Sequence, residues 1–400
     1  MCERPAPPFC RCSAREMLVF DWVLVVLFWV PVFVLVYHWV LYPAVLWGLS
    51  RVLPRRGTRA DRDEPFFLSI LVAAYNEEDL IAGKIRNCLD LDHPADKIEI
   101  LIGSDCSTDA TDSIVRSFGD PRVRLIRYEP QAGKTVVQNR LLLEAKGDVV
   151  LCTDVDSLLT PPSLPLMLEH LRDPGVAVVN PKYVRVNRDG SVAKGFYDRW
   201  KTKVKELEGR LGAMVGCNAY ANMLRREVAT PIPEDTNLDD FVLGIRPFRS
   251  GYDVVTEPRA LVTTQAETER LEFKRKARIN RGNLQVLTRF ADLLQPKYGV
   301  KAWTYFSHKV IRMAIPFLLV SMLVASAIES PRPFFALMLA IQLLALLSVP
   351  LLVIAKGRWR KLLVPQYYYL MNIALLVGCW QFFTSREKYW AKTPRGPAVR

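Results

Sequence analysis

The sequence predicts an α/β protein: a mostly parallel sheet in one central domain, flanked by transmembrane helices. Three observations predict it. Strand-like apolar runs alternate with helix-like segments through the middle of the chain, the pattern of parallel strands joined by crossovers. Acidic residues fall where those strands should end, the edge at which open α/β sheets bind ligands. The remaining apolar residues are gathered into four long runs outside that region.

Half of the 400 residues are hydrophobic, the mean hydropathy is slightly positive and the formal net charge is +13. After a tail at 1–16, residues 17–49 are almost continuously apolar, broken only by Asp21, Pro31, His38 and Pro43. The run exceeds the ~7–15 residues of a signal-peptide core and has no small-residue cleavage site, so 17–50 is expected to be a retained anchor. Residues 310–328, 334–355 and 362–383 are three more runs close to the ~20 residues that a spanning helix needs, giving a C-terminal membrane region at 310–384 with two or three spans. Pro316 and Pro350 are expected to kink it. Basic residues cluster beside the runs: Arg51, Arg55, Arg56 and Arg59 in a linker at 51–64, and Lys356, Arg358, Arg360 and Lys361 between the third and fourth. By the positive-inside rule this puts the domain in the cytosol, at the plasma (inner) membrane, and it accounts for the charge without a nucleic-acid partner. A basic tail at 385–400 also favours the cytosol, so the last run, which holds Gln366, Asn372 and Gln381, reads either as a crossing or as a re-entrant segment packed among helices. The eight cysteines lack paired spacing and imply neither a disulfide framework nor structural zinc.

Residues 65–283 form the central domain, and 284–309, with Trp303, Tyr305 and Phe306, an interfacial segment in which His308 reads as an interfacial or packing residue and not a ligand. The first strand spans 66–75 and ends in Asn76-Glu77-Glu78 before a helix. The second, 98–102, ends in SDCSTDAT, with Asp105 at its tip and Ser107, Thr108 and Asp109 as caps. A third strand follows at 122–128, and a turn from Gln131 to Lys134 opens a helix through Glu144. The fourth strand, Val149-Val150-Leu151, delivers Asp154 and Asp156. Residues two apart on an extended backbone share a face, so the two carboxylates can share a divalent cation carrying the phosphates of a nucleotide-diphosphate donor; turn or cap residues are the alternative. Neither a GxGxxG fingerprint nor a GxxxxGK[ST] loop is present. Further on, Val215-Gly216-Cys217-Asn218-Ala219 reads as a loop before a helix bearing Arg225 and Arg226. Asp239 and Asp240 open another helix that Gly251 ends, and EFKRKARINRGN reads as a basic amphipathic helix.

VAAYNEE, SDCSTDAT, GKTVVQN and DVDS, in this order, resemble the nucleotide-binding half of the membrane-embedded family-2 glycosyltransferases with the GT-A fold, the group of cellulose, chitin, hyaluronan and poly-N-acetylglucosamine synthases. The resemblance implies that Tyr75 and Glu77 hold the nucleoside, Asp105 contacts base and ribose, and Lys134 and Arg275 lie near the nucleotide. It implies that Asp154 and Asp156 hold Mg2+ or Mn2+, that Gly216 and Asn218 border the acceptor, and that Asp240, paired with Asp239, is the general base, with Glu234 and Asp235 as upstream rivals. Arg278 would meet the diphosphate. The processive members keep a Gln-x-x-Arg-Trp segment; here Arg275 and Ile279 stand at its Gln and Trp positions, so the sugar-stacking platform is missing. The implied function is inverting, metal-dependent transfer from a nucleotide-diphosphate sugar, a UDP-sugar, to a lipid-linked or glycan acceptor. Membrane lipids and export-complex proteins are the expected partners. A processive, secreting synthase and a catalytically silent scaffold are the alternatives.

Overall fold

The computed structural model describes residues 14–53, 64–187, 191–192, 196–217, 220–265, 269–354 and 364–384. In chain order the elements are α1 (Ala14–Val36), α2 (Tyr42–Val52), β1 (Leu68–Ala74), α3 (Ile81–Leu89), β2 (Ile98–Asp105), α4 (Thr111–Ser117), β3 (Val123–Tyr128), α5 (Lys134–Glu144) and β4 (Val149–Thr153). They continue as β5 (Leu158–Leu159), α6 (Ser163–Leu171), β6 (Val176–Val186), α7 (Phe196–Arg210), β7 (Ala221–Arg225), α8 (Asp239–Ile245), β8 (Asp253–Gln265), α9 (Glu269–Arg289), α10 (Val300–Tyr305), α11 (Ile311–Ile328), α12 (Pro333–Ile354) and α13 (Val364–Thr384). The chain divides into two compact units, one of 1–41 and 311–373, the other of 42–310 and 374–400.

The second unit is built on an eight-stranded sheet of order β3-β2-β1-β4-β7-β6-β8-β5. Strands β1 to β4 pair in parallel, β6 pairs in parallel with β8, and β7 and β5 are antiparallel to their neighbours. The chain steps outward from β1 to β2 to β3 and then returns to place β4 on the other side of β1, so the order reverses between β1 and β4. That reversal leaves a crevice at the strand carboxyl ends. Both faces of the sheet are covered. Leu68, Ile70 and Val72 point into one core with Ile81, Ile85 and Leu164, while Leu71, Leu101 and Val150 point into the other with Val137, Leu141 and Phe241. Double coverage is why these strands read as unbroken apolar runs.

The four expected strands form near their expected places, although β2 runs on to Asp105 and buries it. One expected element differs in kind. The segment with Arg225 is a strand, not a helix, lying between β4 and β6. YANMLRR lacks β-branched residues and looks helical locally, but pairing on both edges overrides propensity. Arg225 then turns inward, donating to the carbonyls of Val176, Leu171 and Asp173.

In the other unit Phe28 packs edge-on against Phe334 and Phe335 and beside Ala325, and Ser321 Oγ donates to the Leu27 carbonyl at 2.8 Å. Trp22, Phe33 and Leu344 are more than 60% exposed, so its outer surface is apolar. Among the described residues two helices, Trp22–Val52 and Val300–Ile328, are long and apolar enough to cross a membrane; Pro333–Ser348 is a shorter apolar helix. The basic residues from Arg55 to Arg59, from Lys356 to Lys361 and of 385–400 lie outside the described residues.

Candidate functional site

The ends of β1 and β2 are locked together. Asn76 takes a left-handed backbone, φ 53°, which asparagine tolerates, and its side chain exchanges hydrogen bonds with the Thr108 N–H (2.8 Å) and hydroxyl (3.2 Å). Asn76 N–H donates to Ser107 Oγ, and Glu77 N–H to Thr111 Oγ1. Ser107 and Thr108, expected as helix caps, therefore tie two strand ends together; at the start of α4 Asp109 Oδ1 accepts from Thr111 N–H and Glu78 Oε2 from Ala110 N–H, both at 3.0 Å. Glu77 is buried here, and Tyr75 is half-buried beside it.

Asp105, expected at the base and ribose, is buried, and its two oxygens accept the N–H groups of Ala132 (2.8 Å) and Gly133 (2.9 Å). It anchors the loop that presents α5. Gly133, at φ 93°, makes the turn into the helix, and Lys134 is the first helical residue. Lys134 Nζ then lies 2.9 Å from Asp154 Oδ1, past the end of β4, and 3.1 Å from Asp239 Oδ2 in the first turn of α8. Burial opposes the ammonium charge, but Asp154 and Asp239, with Asp240 beyond, outweigh it and hold Lys134 well above the usual lysine range.

Because β4 ends at Thr153, Asp154 and Asp156 sit on a turn, and the period-two argument for their sharing a face does not apply. Their proximity appears as electrostatics instead. Burial raises the Asp154 carboxyl, Lys134 pulls it down, and the charges of Asp156 and Asp239 push it up. Asp240 is raised to about 6, first by burial and then by Asp239 beside it. A cleft at the crevice between β1 and β4 is lined by Lys134, Gln138, Asp154, Asn222, Asp239 and Asp240. Cys152 borders it and Cys217 lies close by, and burial pushes both thiols up to about 12, which removes them as nucleophiles.

Of the sequence-predicted residues, Lys134, Asp154, Asp239 and Asp240 thus meet in one cleft. Tyr75, Glu77, Asp105 and Asp156 lie on neighbouring strand ends and do not line it. Arg275 on α9 donates to the Tyr220 hydroxyl at 3.2 Å, at the start of β7, and Arg278 is one helical turn further on. Glu234 and Asp235 are exposed, and Asp235 pairs with Arg289, so the upstream rivals stand outside the cleft. Gly216 has φ 76°, and a Cβ there would lie 2.8 Å from the Phe241 ring, next to Asp240. Asn218 lies outside the described residues.

The sequence reading missed two sets of buried polar residues. Lys84 on α3 is fully buried, its Nζ 2.9 Å from Thr153 Oγ1. Its signal was present, since it occupies the apolar stripe of Ile81, Ile85 and Cys88, where a lysine needs a reason. Glu208 on α7 is also fully buried and accepts from Tyr42 OH (2.6 Å), His308 Nδ1–H (2.7 Å) and Val215 N–H (3.1 Å). His308 is therefore an interior packing residue with a partner, in a π-helical turn at Phe306–Val310.

Among the described residues no group of three or more His, Cys, Asp or Glu side chains is placed to hold a cation unaided. The site still fits one. Asp154, Asp239 and Asp240 crowd three carboxylates against Lys134, with the charge of Asp156 felt at Asp154, and Mg2+-type ions usually take only one or two carboxylates, completing their shell with water and phosphate.

Residues 69–230 match the family model described as Glycosyl transferase family 2. The chain is 26% identical to "Probable glycosyltransferase YdaM" of Bacillus subtilis (strain 168), over 56% of this chain and 56% of that protein. It is 25% identical to the Beta-monoglucosyldiacylglycerol synthase of Nostoc sp. (strain PCC 7120), over 52% of this chain and 46% of that protein. The chain thus spans about half the length of these curated relatives. Among solved structures, Mannosyltransferase PcManGT from Pyrobaculum calidifontis, in complex with GDP-Man and Mn2+, superposes with a TM-score of 0.66 at 21% identity, covering 89% of this chain and 99% of that one. At that identity the likeness is one of fold.

Proposed function

We propose, from the match of residues 69–230 to the Glycosyl transferase family 2 model and from the GT-A-like fold, that the chain is an inverting glycosyltransferase. It moves a sugar from a nucleotide-diphosphate donor, with a UDP-sugar as the first expectation, to a lipid-linked or glycan acceptor at the cytosolic membrane face. The observation that carries this reading is Lys134, whose ammonium joins Asp154 at the end of β4 to Asp239 at the start of α8. One cation thereby brings the diphosphate end of the cleft against the acid pair that faces the acceptor.

Asp240 is the general base. Asp239 is engaged by Lys134, whereas Asp240 has a carboxyl raised to about 6 and so can take a proton at neutral pH. The acceptor hydroxyl oxygen attacks the anomeric carbon as its proton passes to Asp240. The bond from that carbon to the diphosphate oxygen breaks with its electron pair going to the diphosphate, which inverts the centre. Asp154 and Asp156 would hold Mg2+ or Mn2+, which when bound offsets the leaving-group charge. Arg278, a planar donor to phosphate, meets the diphosphate, and Arg275, docked on Tyr220, borders the nucleotide. Tyr75, Glu77 and Asp105 hold the nucleoside at the β1 and β2 ends. Gly216 and Asn218 border the acceptor.

Three further observations support the setting. The two long apolar helices suit a protein anchored in the plasma (inner) membrane with access to lipid. Relatives named for glycolipid synthesis fit a lipid acceptor. Ile279, where processive synthases keep Trp, favours single transfers over long polymer. A screen of nucleotide sugars with Mn2+ or Mg2+, scoring release of nucleoside diphosphate and product length, tests the whole reading. Release with one donor and single-sugar products supports it. No release with any donor overturns it, and long polymer overturns the single-transfer part.

A further inference from the structure

The turn that carries Asp154 and Asp156 is gripped from behind by one helix. Lys84 Nζ, fully buried on α3, donates to Thr153 Oγ1 at 2.9 Å and to the Ser157 carbonyl at 2.5 Å, the residues immediately before Asp154 and after Asp156. Asn87, three residues on and on the same face, donates Nδ2 to the Leu159 carbonyl at 2.7 Å and accepts the Leu159 N–H at 3.0 Å. Thr153 Oγ1 passes the restraint onward, donating to the Tyr220 carbonyl at 2.8 Å, and Tyr220 OH receives Arg275. Asp154 and Asp156 are also electrostatic partners of the Lys84 ammonium.

Burying an ammonium among Ile81, Ile85 and Cys88 is unfavourable unless it is paired, and an aliphatic side chain would fill the same space without that penalty. Both of Lys84's hydrogen-bond acceptors belong to the acidic turn. Turns are adaptable, and two neighbouring carboxylates repel each other, so without restraint the pair would splay.

We propose that Lys84, with Asn87, is a positioning residue for the cation: it fixes the 153–159 turn so that the Asp154 and Asp156 carboxylates converge before a divalent ion and diphosphate arrive. This rests on the reading above that these two aspartates are the cation's protein ligands. Residues that orient metal ligands typically change metal affinity by about 10- to 100-fold when removed.

The test is Mn2+ binding to the purified full chain, read as loss of the free-ion electron paramagnetic resonance signal, with thermal melting alongside. Lys84→Met should weaken Mn2+ binding by about 10- to 100-fold, and Asn87→Ala less. Thr153→Val, which keeps the shape but removes the hydroxyl that Lys84 reaches, should follow Lys84→Met and carries the test if that variant does not fold. Ile85→Val loosens the same helix without touching the turn and should lower the melting temperature while leaving Mn2+ affinity alone. Should Lys84→Met and Thr153→Val melt lower yet bind Mn2+ as the wild type does, Lys84 is a core residue only and the inference falls by itself. If the wild type binds no Mn2+, the cation site falls, and the inference with it.

Discussion

Asp240 is the residue at which electrostatics and chemistry meet. Asp240→Asn keeps the shape and removes the proposed proton acceptor, so transfer should fall by at least about 10²–10⁴-fold while nucleotide binding stays near wild type, measured by turnover and calorimetry. In the wild type kcat/KM should rise with pH up to about 6 and level off above it, because the raised carboxyl must lose its proton to act as base. The sign for stability is opposite. A carboxyl whose pKa is higher folded than unfolded weakens the fold once ionised, so the penalty is absent below pH ~4, grows toward the folded value and is complete above it. Asp240→Asn should therefore be more stable than the wild type at pH 7.5, by roughly 1–3 kcal/mol, and equal to it near pH 4. A less stable Asn variant at pH 7.5 would contradict the buried-charge picture.

At the scale of elements, two helices place the loops that do the work. α3 grips the turn after β4, and α7 grips the loop at Val215–Gly216: Lys205 Nζ donates to the Gly216 carbonyl, and Glu208 accepts the Val215 N–H. Glu208 also collects Tyr42 and His308, so residues from α2 and from the turn that leads into α11 share one carboxylate with the loop beside Asp240. Each buried donor left unmatched costs about 1–3 kcal/mol. Glu208→Ala should lower the melting temperature sharply, and Glu208→Gln, which keeps some acceptor capacity, should do so less. Gly216→Ala places a Cβ against Phe241 on a left-handed backbone; it should raise the acceptor KM more than the donor KM. Equal rises in both would remove the loop from the acceptor side.

For the molecule as a whole, the proposed cation-dependent transfer and the proposed membrane anchor make two demands. EDTA should stop nucleoside diphosphate release and Mn2+ should restore it. The protein should remain in the membrane fraction after carbonate washing at high pH, and release by that wash would rule out a spanning anchor. The parallel half of the sheet, the long apolar helices and the placing of acidic residues at the strand ends were legible in the sequence alone, because periodicity and composition are local and survive without tertiary context. The acid pair opening α8 was legible for the same reason. Only the folded chain decided that Lys134 bridges Asp154 to Asp239, that Asp105 is taken up by a loop, that the Arg225 segment is a strand, and that Lys84 and Glu208 lie at the centre of buried networks. The Lys84 and Glu208 networks depend on hydrogen bonds between groups 69, 100 and 166 residues apart. A buried polar side chain is defined by the partner it finds, and that partner belongs to another segment of the chain.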